Sequence, residues 1–535
     1  MLPDSSFCSL RLLRIFTQLQ CVRFRQGYLL VTSDKTGVSL TARAIWLLVA
    51  KILAFGLNVA LPLLLVRRLT QAEFGLYKQV FLVVGTALAL LPLGFQMSAF
   101  YFLPRERERQ GEIVLNIVLF QLVMAGVGGL VLFLFPNLLA TIFQGSDVAS
   151  YGPSIAFVVF FWVLSSHLEV LSLAHEESRL STIFIISSQL SKTLLLLLAA
   201  TMFGSVAALI YAALIQGIIQ TVILLLYLNS RFPRFWARFE WSVLRMQLSY
   251  SLPFAFAGLL YTLLTDLHHY FVSNRFDAAT YALYAIGCFN IPLVGILSES
   301  IAAVMIPAVS RLQKQADHRE ILVLTARVMR KLSMVFLPLY AFLIVMGREF
   351  LTALFTPQYS ASWPIFAINL TMLPLSIMVL DPIMRAYAEH RNFLPKLYSV
   401  LSILLALALW LGIGRFGLVA AIATVVVVHM IGRLATAIKV AYMLDVRWED
   451  ATLLKDVGKV AIAAAVAAII TALGRILLSD LSPLPSLAVG AAIFGVAFTG
   501  GTVLLNILTV EERQYVRRWV WRPLLRDTAE PLTRS

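Results

Sequence analysis

The chain repeats itself, and that constrains its fold more than any single residue does. Arg68-Leu-Thr-Gln-Ala-Glu-Phe-Gly-Leu-Tyr77 returns 207 positions later as Arg275-Phe-Asp-Ala-Ala-Thr-Tyr-Ala-Leu-Tyr284. Leu139-Ala-Thr-Ile-Phe143 returns 212 positions later as Leu351-Thr-Ala-Leu-Phe355. Phe203-Gly-Ser-Val-Ala-Ala208 returns 213 positions later as Phe416-Gly-Leu-Val-Ala-Ala421. Three matches in one order, with so little drift, mark a duplicated unit. Such a chain folds as two like halves.

Those halves are built for hydrocarbon. The 535 residues are 60% hydrophobic and 13% charged, against about 45–50% and about 25% in soluble domains. Apolar stretches long enough to span a bilayer number about fourteen. They lie near 40–66, 80–104, 113–135, 153–174, 181–203, 205–228, 249–272, 280–308, 332–355, 363–388, 394–414, 417–444, 456–478 and 485–507. The expected fold is therefore an all-α integral membrane protein. An even number of spans per repeat makes the two six-helix lobes parallel, about an axis along the membrane normal, with a C-terminal helix pair appended. The boundaries read as a basic N-terminal tail (1–39), a first lobe (40–230) and a linker (231–248). A second lobe (249–444), the appended pair (445–507) and an amphipathic C-terminal tail (508–535) follow.

The formal net charge of +15 is topological. With the N-terminus in the cytoplasm, Lys and Arg gather in the tails and cytoplasmic loops, as in the linker's Arg231, Arg234, Arg238 and Arg245. Arg67, Arg68 and Lys78 stand out as exceptions in the first outer loop. This positive-inside bias puts both termini in the cytoplasm. The partner implied for the charge is anionic membrane lipid, not nucleic acid.

Several chemistries find no support. Cys8, Cys21 and Cys288 give no disulfide framework or metal spacing. His175-Glu176-Glu177 lacks the second histidine of a zinc helix, and Gly458-Lys459 lacks the upstream glycine of a phosphate loop. No loop is long enough to hold a soluble catalytic domain. The expectation is a protein that is not an enzyme and carries no cofactor or metal, driven by a sodium ion or proton gradient, the membrane potential or a downstream sink. Residues 1–39 lack the apolar core of a signal peptide and read as an interfacial amphipathic helix, a disordered tail or an over-extended start. Thr509 and Glu512 form a capping box that opens a helix carrying Arg517, Trp519, Trp521 and Arg522.

The repeated segments also carry a family resemblance. Ala72-Glu-Phe-Gly-Leu-Tyr-Lys-Gln79, Thr265-Asp-Leu-His-His-Tyr-Phe-Val-Ser-Asn-Arg-Phe276, Glu349-Phe-Leu-Thr-Ala-Leu-Phe-Thr-Pro-Gln-Tyr359 and Gly414-Arg-Phe-Gly-Leu-Val-Ala-Ala421 are the segments concerned. Over about residues 40–445 the chain resembles the polysaccharide (Wzx-type) flippase branch of the multidrug/oligosaccharidyl-lipid/polysaccharide exporter superfamily. The resemblance implies flipping of a polyprenyl-diphosphate-linked oligosaccharide to the outer leaflet of the bacterial inner membrane. The glycan would be destined for O-antigen, capsule or exopolysaccharide, and a polysaccharide polymerase and export machinery are the implied partners. A murein lipid precursor flippase and a drug/cation antiporter of the same superfamily are the rival readings. A membrane glycan polymerase is disfavoured, because it needs a large outer loop.

Ionisable residues inside spans are functional candidates, because burying them is costly. Arg43, Lys51 and Asn58 lie close to one face of the first span, and Ser188, Gln189 and Lys192 share a face of the fifth. Three readings stand for the mid-span lysines: a cationic lumen that binds diphosphate, local pairing, with Glu169 as a conceivable partner, or snorkelling to an interface. His429 and Arg433, at i and i+4 in the twelfth span, are candidates for the second lobe's side of the path. Asp266, followed by His268 and His269, is the candidate coupling site, with a structural pair to Arg275 or the capping of a neighbouring helix as its alternatives. Asp381 and Arg385 read as an intrahelical pair. Pro253, Pro292, Pro338, Pro374 and Pro382 invite kinks in the second lobe, Pro253 as a hinge.

Overall fold

In hydrocarbon a backbone must satisfy its own hydrogen bonds, and this chain does so with helices. The computed structural model describes residues 40–144, 147–237, 239–390, 392–476 and 481–508, with side chains from Val49 onward except at position 388. No strand occurs among the described residues. Both tail readings, the Thr509–Glu512 box included, lie outside them, as does the Arg43 side chain. Among the described residues eleven helices are long and apolar enough to cross a membrane. The fold is that of an all-α integral membrane protein.

The first half comprises α1 (Leu40–Leu65), α2 (Gln71–Leu90), α3 (Phe95–Phe102), α4 (Gln110–Leu134) and α5 (Asn137–Ile142). It continues through α6 (Gly152–Ser165), α7 (Leu168–Ala174), α8 (Ser178–Met202) and α9 (Val206–Arg231). One expectation is corrected here: the segment read as an outer loop around Lys78 is helix. Thr70 and Glu73 form a reciprocal capping box, which starts α2 at Gln71 and puts Lys78 in its second turn. That span then breaks at Pro92-Leu93-Gly94, where Leu93 and Gly94 both take positive φ.

The second half runs through α10 (Trp241–Arg275), α11 (Ala278–Gly287), α12 (Pro292–Lys314) and α13 (His318–Phe355). Next come the short α14 (Trp363–Leu370), α15 (Met372–Leu375) and α16 (Asp381–Ala386), then α17 (Phe393–Met443). The eighth expected span is thus two helices joined at Cys288–Ile291, and the tenth is three pieces. At 51 residues, α17 laid straight would be about 75 Å long, far more than a bilayer. It is a hairpin. A Cβ added at Gly432 would sit 2.7 Å from Leu401 Cδ1, although these residues flank Gly417 at almost equal distances. Gly417, at φ 71° and ψ −159°, turns the chain in a conformation essentially reserved for glycine. The eleven long helices and the expected count of about fourteen differ because the tenth segment is fragmented, the eleventh and twelfth share α17, and α1 is described in full only over Val49–Leu65.

The duplication is visible in the backbone. Thr70 caps α2 through Glu73 N, and Asp277, its counterpart, caps α11 through Thr280 N. Phe143 and Phe355 are both buried. Gly204 and Gly417 both take positive φ, at 59° and 71°. The prolines read as kinks behave differently: Pro253 and Pro338 lie inside unbroken helices, while Pro292 and Pro382 occupy helix first turns.

The appended pair, α18 (Lys455–Ile476) and α19 (Pro483–Leu504), packs on α13. Gly490 lets α19 approach Met346, and Phe342 meets Phe494 edge-on at 5.5 Å. Arg475 pairs with Glu349 at 2.6 Å near one end, and Arg330 with Asp456 and Arg319 with Asp450 toward the other.

Candidate functional site

The two halves meet along equivalent helices. Gly75 on α2 faces Ala278 on α11 so closely that a Cβ there would lie 1.7 Å from the Ala278 carbonyl oxygen. Deeper along the seam, Gln79 Nε2 donates to Ser273 Oγ at 2.9 Å, and Tyr270 Oη donates to Thr86 Oγ1 at 2.6 Å. Phe74 meets Tyr359 edge-on at 5.9 Å. Arg67 donates to the Ala353 carbonyl at 3.1 Å, and Asn274 to that of Thr141 at 2.8 Å. Most of these ties lie toward the end that carries the α1–α2 and α10–α11 turns, while the Tyr270–Thr86 bond lies about four turns along α2.

Beside this seam is a cavity of about 200 Å³, lined by α1 (Asn58, Pro62), α2 (Phe74, Lys78), α11 (Ile286), Phe289 and Phe355. Lys78 Nζ lies 5.6 Å from the Phe74 ring centroid. Asn58 accepts a hydrogen bond from Gln189 Nε2 at 3.1 Å, which ties the cavity wall to α8. One turn further along α8, Lys192 Nζ sits 4.9 Å from the Trp162 ring, whose indole N–H donates to the Ala213 carbonyl at 2.8 Å. Lys51, two turns below Asn58 on the same helix face, is exposed. Among the described residues Lys51, Lys78 and Lys192 make no ion pair; Glu169 is within electrostatic reach of Lys51 but does not pair with it.

The second half places its candidates elsewhere. His429 Nδ1 lies 2.9 Å from the Val425 carbonyl oxygen of its own helix. Arg433 donates to the Met378 carbonyl at 3.3 Å, in the stretch where the tenth span is broken and carbonyls lack helical partners. Neither borders the cavity beside the seam. Asp266 is half-buried on α10 and makes no ion pair with Arg275 or any other described residue. Asp381 and Arg385 likewise form no ion pair with each other, at opposite ends of the six-residue α16.

So the structure gathers Asn58 and Gln189 into one contact, with Lys192 a turn away and Lys51 below. It adds Lys78, which hydropathy alone places in a loop and the structure places on α2. The Thr70-x-x-Glu73 pattern was the available signal, since a capping box fixes where a helix begins. Chemically the arrangement offers amide groups and ammonium groups without ion pairs among the described residues, of which Asn58 and Lys78 border the cavity, a set suited to an anionic group with nearby hydroxyls.

Residues 64–364 match the model of a family described as polysaccharide biosynthesis protein. No curated protein matches the chain in sequence. Among solved structures, the chain is similar to the lipid II flippase MurJ in its inward closed conformation, with a TM-score of 0.63 and 13% identity, covering 90% of this chain and 100% of that one. It is also similar to an inward-facing multidrug resistance MATE family transporter of the MOP superfamily, with a TM-score of 0.59, 13% identity and coverage of 77% and 96%. A MOP superfamily transporter from Pyrococcus furiosus aligns with a TM-score of 0.54, 11% identity and coverage of 77% and 99%. At these identities the likeness is one of fold.

Proposed function

The chain belongs to the polysaccharide biosynthesis protein family whose model it matches over more than half its length, and from that membership and the seam cavity we propose that it flips a lipid-linked oligosaccharide. The head group, sugars on a polyprenyl diphosphate, moves from the cytoplasmic to the outer leaflet of the bacterial inner membrane by alternating access. The polymer it serves is a surface polysaccharide such as O-antigen, capsule or exopolysaccharide. Polymerase and export machinery are the proposed partners, and no bond is made or broken in the protein. Both termini are cytoplasmic in this reading, so the tied seam is the outer end and the conformation is inward-facing.

The observation that supports this reading is Lys78, which borders the cavity without an ion pair among the described residues, with Lys192 and Lys51 likewise without one on neighbouring helices. For the part-buried Lys78 and Lys192 an unpaired charge in low dielectric is costly; a diphosphate supplies the missing counter-charge, with the exposed Lys51 available to it. Its glycan hydroxyls find Asn58 and Gln189, while the prenyl chain stays in lipid. A cationic path also disfavours the drug/cation antiporter reading. A murein lipid precursor flippase is the second reading. It is favoured by the likeness to MurJ across 90% of this chain, beyond the 77% shared with the MATE transporter.

The test is flipping in proteoliposomes of Lys51→Ala, Lys78→Ala and Lys192→Ala. Each is expected to slow transfer of a polyprenyl-diphosphate oligosaccharide at unchanged protein level, with Arg restoring part of the rate. Parental rates in all three variants refute the cationic path. Transfer of lipid II with no transfer of the oligosaccharide selects the second reading.

A further inference from the structure

Cys288 stands where the eighth span breaks, just after α11 ends at Gly287. Twenty residues earlier, consecutive His268 and His269 project from α10. The structure brings these three together: one donor atom from each lies within 4.8 Å of the others. Sequence spacing alone gave no metal signal, because the ligands come from two helices and the third falls in an interhelical break.

The surroundings orient this set. Tyr284 Oη lies 2.7 Å from His268 Nδ1, and Tyr281 Oη lies 3.4 Å from His269 Nδ1. The two imidazoles have centroids 4.2 Å apart. His268 is buried, as are both tyrosines, in the cluster formed by Leu264, Val272, Ile365 and Leu405. A hydrogen-bond partner on one ring nitrogen fixes the orientation of an imidazole and leaves the other nitrogen for a metal.

We propose that His268, His269 and Cys288 bind one monovalent, thiophilic d¹⁰ ion, Cu(I), in trigonal coordination. Softness narrows the choice: a thiolate with two imidazoles suits Cu(I) or Zn(II) and not the hard cations. Charge then decides. Binding displaces the thiol proton to solvent, so Cu(I) with one thiolate and two neutral imidazoles is a neutral complex. Zn(II) in the same set keeps a net positive charge in a low-dielectric interior that holds no carboxylate among the three ligands. Donors around one such ion stand roughly 3.5–4 Å apart, so the set closes by about 1 Å on binding. The ion staples α10 to the break between α11 and α12, beside the helix that forms the seam with α2. The inference stands apart from the transport reading, since it concerns binding and local rigidity alone.

The experiment uses the full chain in nanodiscs with Cys8→Ser and Cys21→Ser, leaving Cys288 as its single thiol. Cu(I) is titrated anaerobically against bicinchoninate. One equivalent should be withdrawn from the chelator, and the thermal midpoint should rise with occupancy. Cys288→Ser and His269→Gln should each weaken binding by about 100-fold and abolish the rise, with unchanged size-exclusion profiles and metal-free midpoints. Failure of the parent to compete for Cu(I), or retention of full affinity by Cys288→Ser, overturns the site. Stoichiometric Zn(II) binding in preference to Cu(I) overturns the charge argument and with it the proposal.

Discussion

Gly75→Ala tests the seam at its tightest point. The added Cβ would lie 1.7 Å from the Ala278 carbonyl oxygen and 2.5 Å from its carbon. Ordinary contact begins at 3.4 Å, so the helices must part by about 1.7 Å (3.4 minus 1.7). Both partners are backbone, and no side-chain rotation relieves the clash. Parting by that much would also stretch the Gln79–Ser273 hydrogen bond, now 2.9 Å, beyond bonding range. Overpacking costs about 1–3 kcal/mol and a lost buried hydrogen bond about 1 kcal/mol. The sum, about 2–4 kcal/mol, falls on the seam-closed conformation alone. It shifts the ratio of closed to open seam by about 30-fold to about 900-fold. The assay labels Asn58→Cys, in a background with all three native cysteines changed to Ser, using an impermeant maleimide added outside. Gly75→Ala should accelerate labelling, while Gly85→Ala, whose Cβ meets nothing within 4 Å, should not. Equal labelling of the two variants would refute the reasoning.

Three further outcomes are expected. Gly417→Ala should lower the thermal midpoint by an amount reflecting about 1–3 kcal/mol of backbone strain, whereas Gly412→Ala, equally open in space, should leave it nearly unchanged. Asp266→Asn should uncouple flipping from an imposed sodium or proton gradient while lipid binding persists; a mutant stimulated as strongly as the parent moves Asp266 to a structural role. Reporter fusions after Gln144, Phe276 and Gln358 should read outside, and those after Glu112, Ala316 and the C-terminus cytoplasmic. A cytoplasmic signal at Gln144 would break the even-span, parallel arrangement.

Much of the architecture was legible because hydropathy and duplication act over long stretches. The repeat aligned Thr70 with Asp277 and Gly204 with Gly417 before either cap or turn was seen. Helix breaks were harder to read. At Ser166–His167, Cys288–Ile291 and Ser376–Leu380 the residues remain apolar enough to pass for continuous spans, and tertiary contacts decide where the helix stops. The Met378 carbonyl, taken up by Arg433, shows such a partner arriving from 55 residues away. The candidate site was half legible. Helical periodicity put Asn58 and Gln189 on usable faces, yet no periodicity within one helix says that two helices present those faces to each other. Lys78 was misplaced for a simpler reason, since hydropathy located the start of α2 when its cap should have.

The appended pair makes a duplicated machine lopsided. Because α18 and α19 are keyed to α13 by Gly490 against Met346 and by ion pairs toward both ends, they ride with the second half as cargo bolted to one door of a pair. A fluorophore or spin label on α19 therefore reads the swing of one half against a reference on α4, without touching the path or the seam.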